Sequence, residues 1–168
     1  MEKVMWNAMI DACADHGDAE KALHLFRKMK EIGISPNDYT FAAFLRAFAR
    51  AGMAEETVFA YERMKTEYNF APAISHQNCV VEGLARAGML DRAKEFIEKE
   101  IKSPNMATWK ALLGACEDAR QLAVCEWAGE QALKLDPCDA DTYFLLGSLY
   151  GEVRIMFLLL FLRKGLIA

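Results

Sequence analysis

Proline is scarce in this chain of 168 residues, which contains only four. Because proline lacks an amide hydrogen and disfavours helix at the preceding residue, each one marks the end of a helical segment. Their spacings are nearly even, at 36, 32 and 33 residues: Pro36, Pro72, Pro104 and Pro137. Evenly placed helix stops in a chain rich in alanine and leucine predict an array of helical repeats.

Motifs for metal binding and for catalysis are also missing. None of the five cysteines belongs to a Cys-x-x-Cys pair, and none lies near a histidine at zinc-site spacing. Cys13, Cys79 and Cys116 fall in apolar helical stretches, which favours free buried thiols in a reducing compartment. No Ser/His/Asp set, glycine-rich phosphate loop or carboxylate pair stands out. We therefore expect no metal, no cofactor, no catalytic residue and no enzyme activity.

The chain has no excess of basic residues and no long apolar run. Its net charge is −4, with no basic tail, which argues against nucleic acid as a partner without excluding it. An apolar run at 155–162 has eight residues, whereas a membrane span needs about 20. That run is either a membrane or partner anchor or a segment foreign to the repeat. We favour the second, and we expect a monomer without membrane attachment.

A register repeats along the chain with Asn7 as its mark. The equivalent residues follow at spacings of 35, 36, 32 and 34: Ala42, Asn78, Lys110 and Phe144. Five positions later comes a small residue that would let helices approach closely: Ala12, Ala47, Gly83 and Ala115. Glycines suited to helix C-caps recur at spacings of 35 and 36: Gly17, Gly52 and Gly88. With no strand pattern, the expected fold is an all-α, right-handed α-solenoid of helix-turn-helix repeats.

The register divides the chain into successive units. Three repeats occupy 3–37, 38–73 and 74–105, and two further units occupy 106–139 and a truncated 140–150. In the fourth unit, the second helix is expected to bury Leu122, Cys125, Ala128, Ala132 and Leu135. The last unit opens with the tetratricopeptide-type pattern aromatic-x-x-Leu-Gly-x-x-Tyr: Tyr143, Leu146, Gly147 and Tyr150. Such units bind protein, and residues 151–168 follow as an off-pattern apolar tail.

Several stretches together carry a family resemblance. They are VMWNAMIDACADHGDAEKALHLFRKMKEIGISPN from residue 4, DYTFAAFLRAFARAGMAEE from 38, GLARAGMLDRAKEFIEK from 83, ATWKALLGACEDARQLA from 107 and LDPCDADTYFLLGSLY from 135. Over about residues 3–150 the chain resembles plant pentatricopeptide repeat (PPR) proteins. It looks like the C-terminal part of the class with alternating P, L and S motifs and closing E motifs. The resemblance implies binding of single-stranded organellar RNA, one base per repeat.

The resemblance assigns the base-reading residues to the register mark and the last residue of the repeat. Here these are Asn7 with Asn37, and Asn78 with Asn105. An asparagine amide both donates and accepts hydrogen bonds, so it can match a base edge. Such pairs favour a pyrimidine, with cytosine ahead of uracil. The alternative is a purely structural role, in which Asn37 and Asn105, which follow prolines, are turn residues or N-caps.

By the same resemblance, Val4 and Tyr39 stack on bases, and Arg50 and Arg86 face the phosphates. The two arginines could equally be solvated residues that favour a helix C-terminus. Asp15 takes their position in the first unit, where it would repel phosphate. RNA contact at these four residues is therefore an expectation.

The resemblance further implies site recognition for C-to-U RNA editing in a mitochondrion or chloroplast. Residues 106–150 would recruit a separate deaminase or another editing factor. A deaminase carries His-x-Glu, yet none of His16, His24 and His76 is followed two residues later by glutamate. The chain is therefore not expected to deaminate by itself. The alternative is a tetratricopeptide-like protein interaction scaffold without direct RNA readout.

Overall fold

The computed structural model describes residues 2–116 and 122–149. Those residues form nine α-helices and no strand, which confirms the expected fold class. The helices are α1 (Lys3–Asp15), α2 (Ala19–Glu31), α3 (Asp38–Arg50), α4 (Ala54–Thr66), α5 (Ile74–Arg86), α6 (Leu90–Glu100), α7 (Met106–Leu113), α8 (Leu122–Leu135) and α9 (Ala140–Leu149). Tyr150 and the apolar tail at 151–168 lie outside the described residues. The chain divides into two compact units, Met1–Lys102 and Ser103–Ala168.

In the first unit, three antiparallel helix pairs stack so that their first helices lie side by side. Helix α3 is the middle one and contacts both α1 and α5. It is accordingly the most buried helix of the unit, and an aromatic cluster surrounds it. The ring of Phe41 makes edge contacts with Phe26, Tyr68 and Phe70 at centroid distances of 5.6, 4.9 and 5.9 Å. This cluster joins the first two helix pairs into one core.

Glycine is required where each pair turns and where two pairs meet. Gly17, Gly52 and Gly88 have φ values of +66°, +69° and +74°, so all three are left-handed residues after a first helix. At Gly83, an added Cβ would lie 3.3 Å from the Cα of Ala49 and 3.0 Å from the Thr57 hydroxyl. Any larger residue would therefore push α5 away from α3 and α4.

The small residues of the repeat register have different environments. Ala47 and Gly83 are buried, as the register predicts for close helix packing. Ala12 is exposed, because α1 has α3 as its one neighbouring first helix in the described chain.

The second unit contains α7, α8 and α9, which all contact one another. Helix α8 buries Cys125, Ala128 and Ala132, as the apolar pattern predicts. Leu135 is exposed, so its predicted place in the core is wrong: it is the last residue of α8, where the helix leaves the core. Within residues 2–116 and 122–149, no helix is long and apolar enough to cross a bilayer.

The cysteines differ from the expectation in this second unit. Cys116 and Cys125 form a disulfide, because antiparallel packing of α7 and α8 brings their Cα atoms within 6.2 Å. The expectation of a free thiol is therefore wrong for Cys116, and a nine-residue separation matches no disulfide motif in the sequence. Free thiols are found at Cys13, Cys79 and Cys138.

The free thiols should differ in reactivity. Burial raises the pKa of the Cys79 thiol to about 12, with a smaller contribution from Glu82, whereas Cys138 is exposed. At pH 8 only about one Cys79 in ten thousand is then a thiolate. Iodoacetamide should alkylate Cys138 and spare Cys79, as measured by mass spectrometry of proteolytic peptides. In urea the two should react alike, and equal rates in the folded protein would contradict the assigned burial.

Candidate nucleic-acid interface

The Asn7 and Asn37 side chains meet at the start of α3. The Asn7 Nδ2 amide donates to Asn37 Oδ1 at 3.1 Å, across 30 residues of sequence. Asn37 is also the N-cap of α3, because its Oδ1 accepts from the Thr40 backbone N–H at 3.0 Å. The Thr40 hydroxyl in turn lies 2.6 Å from Asn7 Oδ1. The N-cap interpretation of Asn37 is confirmed, and the same side chain is part of a pair with Asn7.

A buried polar residue occupies the position of Thr40 in each later first helix. The equivalents are His76 on α5, Thr108 on α7 and Thr142 on α9, and all are fully buried. Each threonine closes a cap with the last residue of the preceding unit, as Thr108 does with Asn105 at 3.0 Å. Sequence reasoning missed this position, although its side chain lies two residues before every later register mark.

His76 replaces threonine where the preceding unit ends in Ala73, which has no side chain to cap the helix. Its Nδ1 accepts from the Ala73 backbone N–H at 3.1 Å. Because that N–H can only donate, Nδ1 carries no hydrogen, and Nε2–H donates to the Asp38 carbonyl at 3.2 Å. Ala42 and Ala73 therefore leave no polar pair in the second repeat, and His76 replaces the cap alone.

The other predicted pair, Asn78 and Asn105, is divided between the two compact units. Asn78 lies half-buried on α5 in the first unit. Asn105 is the N-cap of α7 in the second, with its Oδ1 accepting from the Thr108 backbone N–H. The N-cap interpretation is thus confirmed for Asn105 as well.

In the second unit, an ion pair takes the place of the amide pair. Lys110, at the register mark, donates to Asp139 at 2.9 Å and to Asp141 at 2.8 Å. Bonds from Thr142 and the Lys110 charge hold the pKa of Asp139 below its ordinary value, and the two carboxylates raise the pKa of Lys110. The arrangement consists of one ammonium and two carboxylates, so it offers no amide edge to a base.

Two exposed apolar side chains lie beside the Asn7–Asn37 pair. Val4 is 71% exposed and lies one helical turn before Asn7 on α1. Tyr39 is 75% exposed and directly precedes Thr40 on α3. Unpaired bases stack on exposed aromatic side chains, so Tyr39 offers such a platform next to the amide pair.

The arginines expected to face phosphate are bound to carboxylates. Arg50 lies 3.5 Å from Asp15 of α1, at the same register position one repeat earlier. Arg86 pairs with Glu82 one turn back on α5 at 2.9 Å. A further pair, Arg46 with Asp11, joins α3 to α1 and was missed, although opposite charges 35 residues apart were a readable signal.

Antiparallel helix pairs that repeat the same register and stack side by side define a helical-repeat protein. Residues 2–66 match the sequence model described as the PPR repeat family, and residues 78–99 match that of the PPR repeat. The chain belongs to the pentatricopeptide repeat family.

Known proteins of this kind are longer than the chain. A mitochondrial pentatricopeptide repeat-containing protein of Arabidopsis thaliana is 39% identical over 89% of this chain and 19% of its own length. A chloroplastic one is 39% identical over 88% of this chain and 20% of its length. The chain thus spans about a fifth of each of these relatives.

Solved structures of maize PPR10 resemble the fold. PPR10 alone has a TM-score of 0.72 at 21% identity, over 95% of this chain and 24% of PPR10. In complex with an 18-nucleotide psaJ RNA element, it has a TM-score of 0.77 at 19% identity, over 89% and 22%. At these identities the likeness shows the fold, an all-α helical-repeat solenoid.

Proposed function

We propose that this chain is part of a protein that binds single-stranded RNA sequence-specifically in organellar RNA processing. Residues 3–105 supply the base-reading repeats, in which Asn7 with Asn37 and Asn78 with Asn105 each take one pyrimidine. The mitochondrial and chloroplastic names of the relatives support an organellar location. The RNA in the maize PPR10 complex supports RNA as the partner.

The observation that carries the proposal is the amide pair of Asn7 and Asn37. Both side chains are half-buried, so they are held in place yet reachable, and they lie beside the exposed Val4 and Tyr39. A base stacked on those side chains would meet amide groups at its edge. The N-cap role of Asn37 alone would need no polar residue at position 7.

The finer role we propose is recognition of sites for C-to-U editing. Residues 106–150 would recruit a separate deaminase or another editing factor, since the chain lacks the deaminase motif. Two features of the second unit support a protein-binding rather than a base-reading role. Lys110 is neutralised by two aspartates, and Phe144, at the register mark of α9, is 65% exposed.

The test is binding of the whole chain to random single-stranded octanucleotides, with selection and sequencing of the bound RNA. The chain should enrich a pyrimidine, and Asn7→Ala should weaken that enrichment by about tenfold. The matched control is Asn7→Ala with Ala8→Asn, which keeps the composition but moves the amide to the exposed neighbouring position. It should not restore enrichment. Equal enrichment by all three proteins would contradict base reading by Asn7.

A scaffold that binds only protein is the second candidate. The ion pairs of Arg46, Arg50 and Arg86 favour it, because they reduce the positive charge open to phosphates. This function predicts that the chain enriches no RNA sequence, while Phe144→Asp abolishes capture of a protein partner. Pyrimidine enrichment that depends on Asn7 would exclude it.

A further inference from the structure

A closed ring of hydrogen bonds fixes the orientation of the Asn7 amide. Three of its bonds involve the backbone N–H groups or the hydroxyl of the capping box at the start of α3, and the fourth joins the two amides. Asn37 Oδ1 accepts from the backbone N–H of Thr40 at 3.0 Å and from Asn7 Nδ2 at 3.1 Å. Thr40 Oγ1 lies 3.0 Å from the backbone nitrogen of Asn37 and 2.6 Å from Asn7 Oδ1.

The two backbone N–H groups determine the polarity of every other bond in the ring. A backbone N–H can only donate, so the Asn37 atom that meets the Thr40 N–H must be the carbonyl oxygen. The Asn7 atom that faces this oxygen must then be the amide nitrogen. Likewise, Thr40 Oγ1 accepts from the Asn37 N–H, so its single proton is left for Asn7 Oδ1 at 2.6 Å, the nearer of two acceptors, or for Asn37 Oδ1 at 2.9 Å. The amide of Asn7 therefore has one orientation that satisfies the ring.

What remains for a ligand is a set of donors. Asn7 Oδ1 faces into the ring towards Thr40 Oγ1, and Asn37 Oδ1 already accepts from the Thr40 backbone N–H and from Asn7 Nδ2. The second N–H of Asn7 and the Nδ2 group of Asn37 take no part in the ring. Cytosine carries two neighbouring acceptors, N3 and O2, on its pairing edge, whereas uracil has an N3–H donor at the middle of that edge. A donor-only pair therefore fits cytosine and opposes uracil.

We propose that Thr40 is a positioning residue for base specificity: its hydroxyl locks the Asn7 amide with N–H outward, so that the first repeat prefers cytosine to uracil. This inference rests on the proposed RNA binding. Thr40 is fully buried and touches no base, so it acts only through Asn7 and Asn37. Without its hydroxyl, Asn7 Oδ1 has no donor in the ring, and the amide is held only by the bond from its Nδ2 to Asn37 Oδ1. The amide can then swing away from the ring and accept from the N3–H of uracil.

In the second unit, the equivalent threonine also closes a helix cap, but the register mark carries a lysine instead of an amide. This unit therefore distinguishes the capping role of the threonine from its proposed role in base reading. There Thr142 donates its hydroxyl to Asp139 Oδ2 at 2.6 Å, while Lys110 binds Oδ1 of the same carboxylate. The threonine thus supports a cap at both places. Where an amide occupies the register mark, as at Asn7, the threonine hydroxyl also determines whether the amide presents its N–H or its carbonyl oxygen to a ligand.

The test compares Thr40→Val and Thr40→Ser in an Asn78→Ala background, which silences the second predicted reader. The probes are two single-stranded oligonucleotides, four adenosines on each side of one cytosine or one uracil. The parent should bind the cytosine probe about tenfold more tightly than the uracil probe. Thr40→Ser should keep this ratio, and Thr40→Val should bring it close to one. The matched control is Thr57→Val, since Thr57 is also fully buried but bonds only to the Met53 carbonyl.

Side-chain amide NMR of the free protein supplies a readout that needs no RNA. The ring predicts slowed solvent exchange for one Asn7 amide proton, kept in Thr40→Ser and Thr57→Val and lost in Thr40→Val. Unchanged exchange in Thr40→Val would overturn the lock. If Thr40→Val loses the slowed exchange but keeps the preference for the cytosine probe over the uracil probe, the role of Thr40 in specificity would be overturned. Failure of the parent to bind either probe would instead overturn the proposed function, and the specificity inference with it.

Discussion

Replacing Phe41 with alanine is expected to lower the free energy of unfolding of the first unit by about 3–5 kcal/mol. Phe41 is 1% exposed on the central helix α3, and its ring contacts Phe26 of α2 as well as Tyr68 and Phe70 after α4. Removing the ring leaves a cavity lined by residues of two helix pairs, which cannot close it without shifting both. Urea unfolding followed by circular dichroism measures the change.

The control for this prediction is Phe59→Ala. Phe59 lies on α4 in the same unit but is 65% exposed, with Arg63 over its ring. Its removal should change the free energy of unfolding by no more than about 0.5 kcal/mol. Similar losses for the two variants would show that the aromatic cluster around α3 does not hold the first two helix pairs together.

Neutralising Asp11 and Asp15 together should strengthen RNA binding by about tenfold at low salt. Both carboxylates of α1 pair with arginines of α3, Asp11 with Arg46 and Asp15 with Arg50. Asp11→Asn with Asp15→Asn would release two guanidinium groups to phosphates and remove two repulsive charges. The binding constant should then fall more steeply with salt concentration, by about 0.7 in the logarithmic slope for each added phosphate contact. Fluorescence titration at several salt concentrations measures both quantities.

A variant with the same change in net charge separates a local effect from a general one. Glu62→Gln with Glu95→Gln removes two carboxylates from the second helices α4 and α6, where they pair with Lys65 and Lys99. It should alter RNA affinity by less than about twofold, since no arginine of the first helices is released. An equal gain in the two double variants would mean that net charge alone governs binding. No gain in either would mean that Arg46 and Arg50 do not reach the phosphates.

The helical architecture could be predicted because its signals are local. Proline fixes φ and disfavours helix before it, and glycine alone adopts positive φ without strain, so both mark helix ends. Four of the first helices begin two or three residues after a proline, at Asp38, Ile74, Met106 and Ala140. The left-handed turns at Gly17, Gly52 and Gly88 were predictable for the same reason.

Contacts between residues that are distant in the sequence were harder to predict from the sequence. The disulfide of Cys116 and Cys125 depends on how α7 packs on α8, which no cysteine spacing reveals. Arg50 looked available for phosphate, but Asp15 of the neighbouring helix binds it. The exposure of Leu135 depends on where α8 leaves the core, a matter of packing rather than of periodicity.

The sequence by itself determined that this protein is a row of helix pairs with asparagines at recurring positions. Those features depend on backbone preferences and on a period that can be counted along the chain. Only the tertiary structure decided which way the Asn7 amide faces. That orientation depends on the backbone N–H groups of Asn37, the last residue of the first repeat, and of Thr40 in the next repeat, and on the buried Thr40 hydroxyl. Hydrogen-bond polarity is a property of the assembled ring, so it is not encoded in any one stretch of sequence.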